Sequence, residues 1–139
     1  GNGNDLFVLD FSEVDTIYGQ GNTDTVKITG GTNSLSVSNA DANFVMNSTL
    51  TNIEKLDITG LTLNTANNNT EFNFTEAMID AWTGSSTGNL TLSLKSSQVE
   101  KIKFTDSSSV VHDTSSTITD NASYTIGNNT LTIDIIDVP

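Results

Sequence analysis

The chain has 139 residues, enough for one domain with a buried core and too few for two enzymes side by side. Seventeen acidic residues face five lysines, a formal net charge of −12, which argues against a nucleic-acid partner. So much like charge repels itself in a small fold, so bound cations are a physical expectation, and the absence of cysteine excludes disulfides and thiolate metal sites.

Ser, Thr and Asn make up about 40% of the chain and Pro occurs once, and this excess of polar strand formers over helix formers predicts an all-β protein. The first elements form a period. An acid or amide, any residue and then an apolar residue recur as Asp5-Leu6-Phe7, Asp15-Thr16-Ile17, Asp24-Thr25-Val26 and Asn33-Ser34-Leu35, with starts ten, nine and nine residues apart. The loops GNGND (1–5) and GQGNTD (19–24) ahead of two of these units are rich in residues that accept positive φ. A flexible turn and a short strand every nine residues is a solenoid signature, assigned here to residues 1–38. A chain that opens on Gly within such a repeat reads as a piece of a longer protein, and it carries no secretory signal and no long apolar run.

Residues 39–139 read as a β-rich continuation of the same module. Strands are expected at IEKLDIT (53–59), TLSL (91–94), VEKIKF (99–104) and LTIDI (131–135). One short helix is predicted over Thr75–Trp82, TEAMIDAW, where Thr75 serves as cap and Met78, Ile79 and Trp82 fall on one side. The stretches NTANNNT (64–70), GSSTG (84–88) and DSSSVVHDTSST (106–117) read as loops.

The opening resembles the nonapeptide G-G-x-G-x-D-x-U-x, with U a large apolar residue, that binds calcium in RTX proteins. In the first unit Gly1 and Gly3 stand at glycine positions, Asp5 at the acid and Phe7 at the apolar position. In the third, Gly19 fits, Gln20 and Asn22 replace glycines on either side of Gly21, and Asp24 and Val26 take the last two roles. The second unit, DFSEVDTIY, keeps only Asp15 and Ile17. The chemistry is coherent: calcium takes six to eight oxygens at about 2.3–2.6 Å from carboxylates and backbone carbonyls, and a Gly-rich turn aims several carbonyls at one point. The resemblance implies a right-handed parallel β-roll at the start, continuing into a β-solenoid or a β-sandwich with one short helix, and Ca2+ as the bound ion.

TNIEKLDITG (51–60) is similar to a segment that follows the nonapeptides in large bacterial RTX adhesins and related calcium-binding surface proteins. There a short helix, a strand pair and a closing segment like YTIGNNTLTIDIIDV (124–138) come next, in the order found here. What this implies is a calcium-stabilised structural module at the extracellular cell surface, exported unfolded by type I secretion and folded by external calcium. Its partners would be calcium ions and neighbouring modules of the same large protein, with no nucleic acid and no membrane insertion. The alternative is an adhesin module that binds a glycan or peptide, and an accessory domain of an RTX enzyme comes third.

The candidate metal residues are thus Gly1, Gly3, Asp5, Asp15, Gly19, Gly21 and Asp24, joined by Asp57 and Asp134 from the later strands. A strand carboxylate must face solvent, cap a turn or meet a cation, and those readings stay open for Asp57, Asp134 and Asp137. Asp106, Asp113 and Asp120 read as turn residues or as an exposed calcium or ligand site. No enzyme is expected, since His112 is the only histidine and sits in what reads as a surface loop. Phe72, Phe74 and Trp82 read as core, with a sugar-stacking surface as the alternative.

Overall fold

The computed structural model describes residues 2–30, 35–37, 42–65 and 71–137, with the side chains of 35–37 and 65 left aside. Asn33 and Ser34 of the fourth unit and the glycine at Gly1 lie outside these residues, as do residues 66–70 of the loop expected at 64–70, whose first two residues are strand instead. The fold is mostly β. Its elements are β1 (Leu6–Asp10), β2 (Thr16–Tyr18), β3 (Thr25–Thr29), β4 (Leu35–Val37), β5 (Ala42–Asn43), β6 (Thr49–Thr51), β7 (Lys55–Gly60), β8 (Leu63–Thr65) and β9 (Phe72–Asn73). They continue with α1 (Glu76–Thr83), β10 (Asn89–Leu94), α2 (Ser96–Val99), β11 (Ile102–Thr105), β12 (Val111–His112), β13 (Ser123–Ile126) and β14 (Asn129–Ile135).

The largest sheet has the order β1-β3-β7-β10-β14-β13. Its first five strands run parallel, and only β13 turns back antiparallel on β14. A second sheet, β12-β11-β9-β5, and the parallel pairs β2-β6 and β4-β8 are built from the segments between those strands. Parallel neighbours need a crossover, and here the crossovers lengthen along the chain: Asp5 meets Asp24 after 19 residues, Asp24 meets Glu54 after 30, and Ser93 meets Asp134 after 41. The nine- and ten-residue repeats therefore act in pairs. β1 stacks on β3, while β2, from the intervening repeat, stacks on β6.

Alternation places the core. β3 and β14 switch strictly between buried and half-buried residues, as period-two strands with one covered face must. In register, Phe7, Val26, Leu56, Leu92 and Ile133 form one inward row across the five parallel strands. The outward row beside it reads Val8, Lys27, Asp57, Ser93 and Asp134. Parallel sheets usually have both faces covered; this one keeps a polar face in solvent, which explains why its strands alternate instead of reading as continuous apolar runs. One hydrophobic cluster runs from Leu9 to Ile135.

Phe72, Phe74 and Trp82 are all buried, as the core reading of this cluster requires. Phe74 stacks on Phe44 at 4.9 Å, and Trp82 meets both rings edge-on. Helix α1 starts as anticipated, with the Thr75 hydroxyl accepting from Met78 N–H, and ends at Gly84 with φ +69°.

Two local expectations are corrected. A second helix, α2, takes Ser96–Val99, so the strand expected from Val99 begins only at Ile102. Gln98 anchors this turn: its Oε1 accepts from Lys95 N–H and its Nε2 donates to the carbonyls of Ile58 and Leu61. The 106–117 stretch is not all loop, because Val111–His112 pairs with β11, and His112 is buried. His112 packs against Phe104 and Tyr124, which also touch each other, donates from Nδ1 to the Thr117 carbonyl at 2.7 Å, and sets Nε2 2.8 Å from Asp106 Oδ2. A histidine amid Ser and Thr gives no periodic signal of burial; the Phe104 and Tyr124 rings that cover it come from other strands.

Candidate cation site at the Asp24 turn

Among the described residues no three His, Cys, Asp or Glu side chains come close enough to share an ion. A cation site here must therefore combine a carboxylate with backbone carbonyls, and the turn before β3 is where such oxygens meet. Gln20 and Asn22 both adopt left-handed conformations, φ +78° and +75°, the region that glycine enters most readily. Gly19 is required for a different reason. A Cβ there would lie 2.0 Å from Asn52 O and 2.5 Å from Asp24 Oδ2, so both oxygens crowd the position a side chain would take and only glycine fits.

Asp24 itself is fully buried. Its Oδ1 accepts from Asp5 N–H at 2.8 Å, whereas Oδ2 has no hydrogen-bond partner. Its N–H donates to Glu54 Oε2 at 2.8 Å, and its carbonyl accepts from Glu54 and Lys55 N–H. A buried carboxylate oxygen without a donor costs free energy, on the order of 1–3 kcal/mol, unless water or a cation supplies the missing charge. Asn52, from the connection between β6 and β7, reaches this turn: its φ is +55°, and its Nδ2 donates to Gln20 O at 3.5 Å. The Asp24 carboxylate and the Asn52 carbonyl, which meet beside Gly19, are oxygens of the types that a hard cation such as calcium takes.

The other expected residues are placed elsewhere. Asp5 contributes its backbone, donating to Asp24 Oδ1 and accepting from Thr25 N–H. Gly3 and Gly21 have nothing within 4 Å of a would-be Cβ, so space does not demand glycine at either. Asp15 is exposed; its N–H donates to Ser48 Oγ and its carbonyl accepts from Thr49 N–H, which ties it to the β2-β6 pair. Asp57 Oδ1 accepts from Thr59 N–H and Oγ1, with Lys27 Nζ 4.0 Å from Oδ2. Asp134 Oδ2 accepts from Ser93 Oγ at 2.9 Å, so both strand carboxylates have partners on the polar face. Glu54 and Asn52 were not singled out from sequence. They lie about thirty residues from Asp24, and the pairing that joins them depends on a crossover length no local motif encodes.

Of the loop acids, Asp106 builds its own turn, whereas Asp120 ties its loop to β14. Asp106 Oδ1 accepts from Ser108 and Val110 N–H, and Asp120 Oδ1 accepts from Ile135 N–H. Asp113 donates its N–H to Thr117 Oγ1. The His112 hydrogen bond, followed by that from Val110 N–H, holds the Asp106 carboxyl below the usual carboxylate range. A depressed folded value means stability that is present above the unfolded pKa, about 4, and lost as pH falls through the folded one. The melting temperature of the parent chain should therefore drop on acidification below about pH 4, and Asp106→Asn should flatten part of that acid limb. An identical acid limb in the variant would remove this role from Asp106.

No protein-family model matches the chain, and neither the curated proteins nor the solved structures contain a match. Among the described residues no helix is long and apolar enough to cross a membrane.

Proposed function

We propose that the chain is a calcium-stabilised structural module of an extracellular, RTX-type surface protein, in which the successive parallel strands are turns of a β-solenoid and the cation joins one turn to the next. The observation that carries this is Asp24: a fully buried carboxylate with an oxygen that no protein donor meets, at a turn where Gly19 is sterically required and Gln20 and Asn22 hold left-handed backbone. The net charge of −12 supports it, since cation binding offsets self-repulsion. The role is structural and not catalytic. Calcium would act as a folding ligand, binding native oxygens that the unfolded chain cannot assemble, and contribute about 2.7 kcal/mol at a hundred times its dissociation constant.

In EDTA the chain is expected to show a weak β signal by circular dichroism or an early melt, and in millimolar calcium a fuller β signal and a later one. Identical spectra and melts in both buffers would sink the proposal. One observation supports the alternative of a ligand-binding adhesin module: an open cleft of about 550 Å³ whose lining sets Glu76, Lys103 and Asp106 beside Phe74, Phe104 and Ile126. Such a half-polar, half-apolar lining with both charges suits a glycan or peptide, and a glycan array tests it.

A further inference from the structure

The two ends of the strand stack are finished differently. At one end β13 folds back antiparallel on β14, and the 107–110 turn closes over it, with Ser107 N–H donating to Thr125 O and its hydroxyl reaching the Thr125 and Gly127 carbonyls. At the other end β1 pairs, among the described residues, with β3 alone.

The backbone bonds say which groups β1 turns outward. Thr25 N–H donates to Asp5 O and Phe11 N–H donates to Thr29 O, so the odd-numbered residues face β3 and Leu6, Val8 and Asp10 point their N–H and C=O away from it. Asp10 is already capped, its N–H donating to Glu13 Oε2 and its carbonyl accepting from Glu13 N–H. Leu6 and Val8 present the remaining ladder groups, and their side chains are 64% and 58% exposed, on the face where β3 and β7 carry Thr25, Lys27, Lys55 and Asp57. The inward row thins toward this end too: Val26, Leu56, Leu92 and Ile133 are fully buried, while Phe7 is only half-buried. Beside β1 on the same end, Val14 is 78% and Tyr18 59% exposed.

The geometry points to a docking edge for one further turn of polypeptide built like the first: a Gly/Asn turn, an acid, and a strand lying parallel to β1 in a 19-residue register. The register is the one the chain already uses between its first two turns, where Asn2 bridges Gly21, Thr23 N–H donates to Asn4 Oδ1 and Asp5 N–H donates to Asp24 Oδ1. Such a turn would cover Phe7, pair the Leu6 and Val8 backbone and lay apolar side chains against Leu6, Val8 and Tyr18. An apolar, ladder-bearing edge left open is an aggregation hazard that native sheets cover or charge, and at the opposite end Ser107 caps the Thr125 and Gly127 carbonyls. The inference stands apart from the calcium reading.

The test appends a copy of residues 1–19 directly before residue 1 and follows amide hydrogen exchange in millimolar calcium. Leu6 and Val8 amides are expected to slow by about 100-fold relative to the unextended chain, while those of β10 and β14 stay as they were. A control with one extra glycine between copy and chain shifts the register by one residue, puts the apolar set on the wrong face and should give no such slowing. Unchanged exchange at Leu6 and Val8, equal slowing in the control, or loss of β10 and β14 protection in the extended chain would each overturn the inference. So would a dimer of the unextended chain in sedimentation with Leu6 and Val8 already protected, since the edge would then belong to a second copy.

Discussion

Replacing Phe74 by alanine is expected to destabilise the chain by about 3–5 kcal/mol, lowering the melting temperature by roughly 4 °C for each of those. The ring is 2% exposed, stacks on Phe44 at 4.9 Å and meets Trp82 edge-on at 6.1 Å. It sits where the second sheet, helix α1 and the β5-β6 connection come together, and its own backbone N–H is bound to Lys103 O, so little can move inward to fill the space. Phe74→Leu should recover a large part of the loss, because most of the apolar volume returns. A melt of Phe74→Ala within about 2 °C of the parent would show that this cluster is not core and would return it to the sugar-stacking alternative.

Gly19→Ala comes next in size. The added methyl would meet a backbone oxygen, Asn52 O, at 2.0 Å, and the buried Asp24 carboxylate at 2.5 Å. Neither is the free end of a flexible side chain. Asn52 sits in a left-handed conformation beside Thr51, whose carbonyl accepts from Gly19 N–H, and Asp24 is held by Asp5 and Glu54. The turn has to open, at about 2–4 kcal/mol, and opening it also separates the oxygens proposed to hold the cation. The calcium-dependent part of the melt should shrink along with the stability itself. Gly21→Ala is the matched comparison, because no atom lies within 4 Å of its would-be Cβ, and it should leave both quantities nearly as they were.

How far the sequence speaks can be judged at these residues. The acid-x-apolar period falls where β1, β2 and β3 begin, each strand starting one residue after its acid, because each is short and follows its turn directly. Of its apolar residues Ile17 and Val26 are buried and Phe7 is half-buried. The later strands were found less sharply: β7 and β14 matched well, whereas β5, β9 and β12 are two-residue strands, too short for any period to register. Helix α2 escaped because it is a single turn fixed from outside, by the reach of Gln98 to Ile58 and Leu61.

The site was half legible. Asp24 and Gly19 follow from the repeat, but the repeat gave Asp5 and Asp15 the same standing, and only the pairing of turns separates the three. Asp15 faces solvent on the β2 side, Asp5 serves through its backbone, and Asp24 alone is fully enclosed. Its neighbours Asn52 and Glu54 come from the connection between β6 and β7, so their part rests on crossover length and register, which no window of sequence contains.

The most direct test of the proposed role compares melting of the parent chain and Asp24→Asn, each in EDTA and in millimolar calcium. Asparagine keeps an oxygen for Asp5 N–H and places an amide donor where Oδ2 has no partner, so it removes the unpartnered carboxylate oxygen and the proposed cation ligand together. The prediction is a crossing: the parent melts well above its EDTA value in calcium, while Asp24→Asn melts at one temperature in both buffers, at or above the parent in EDTA and below the parent in calcium. A parent melt indifferent to calcium, or a variant that keeps the full calcium response, would contradict a cation at Asp24.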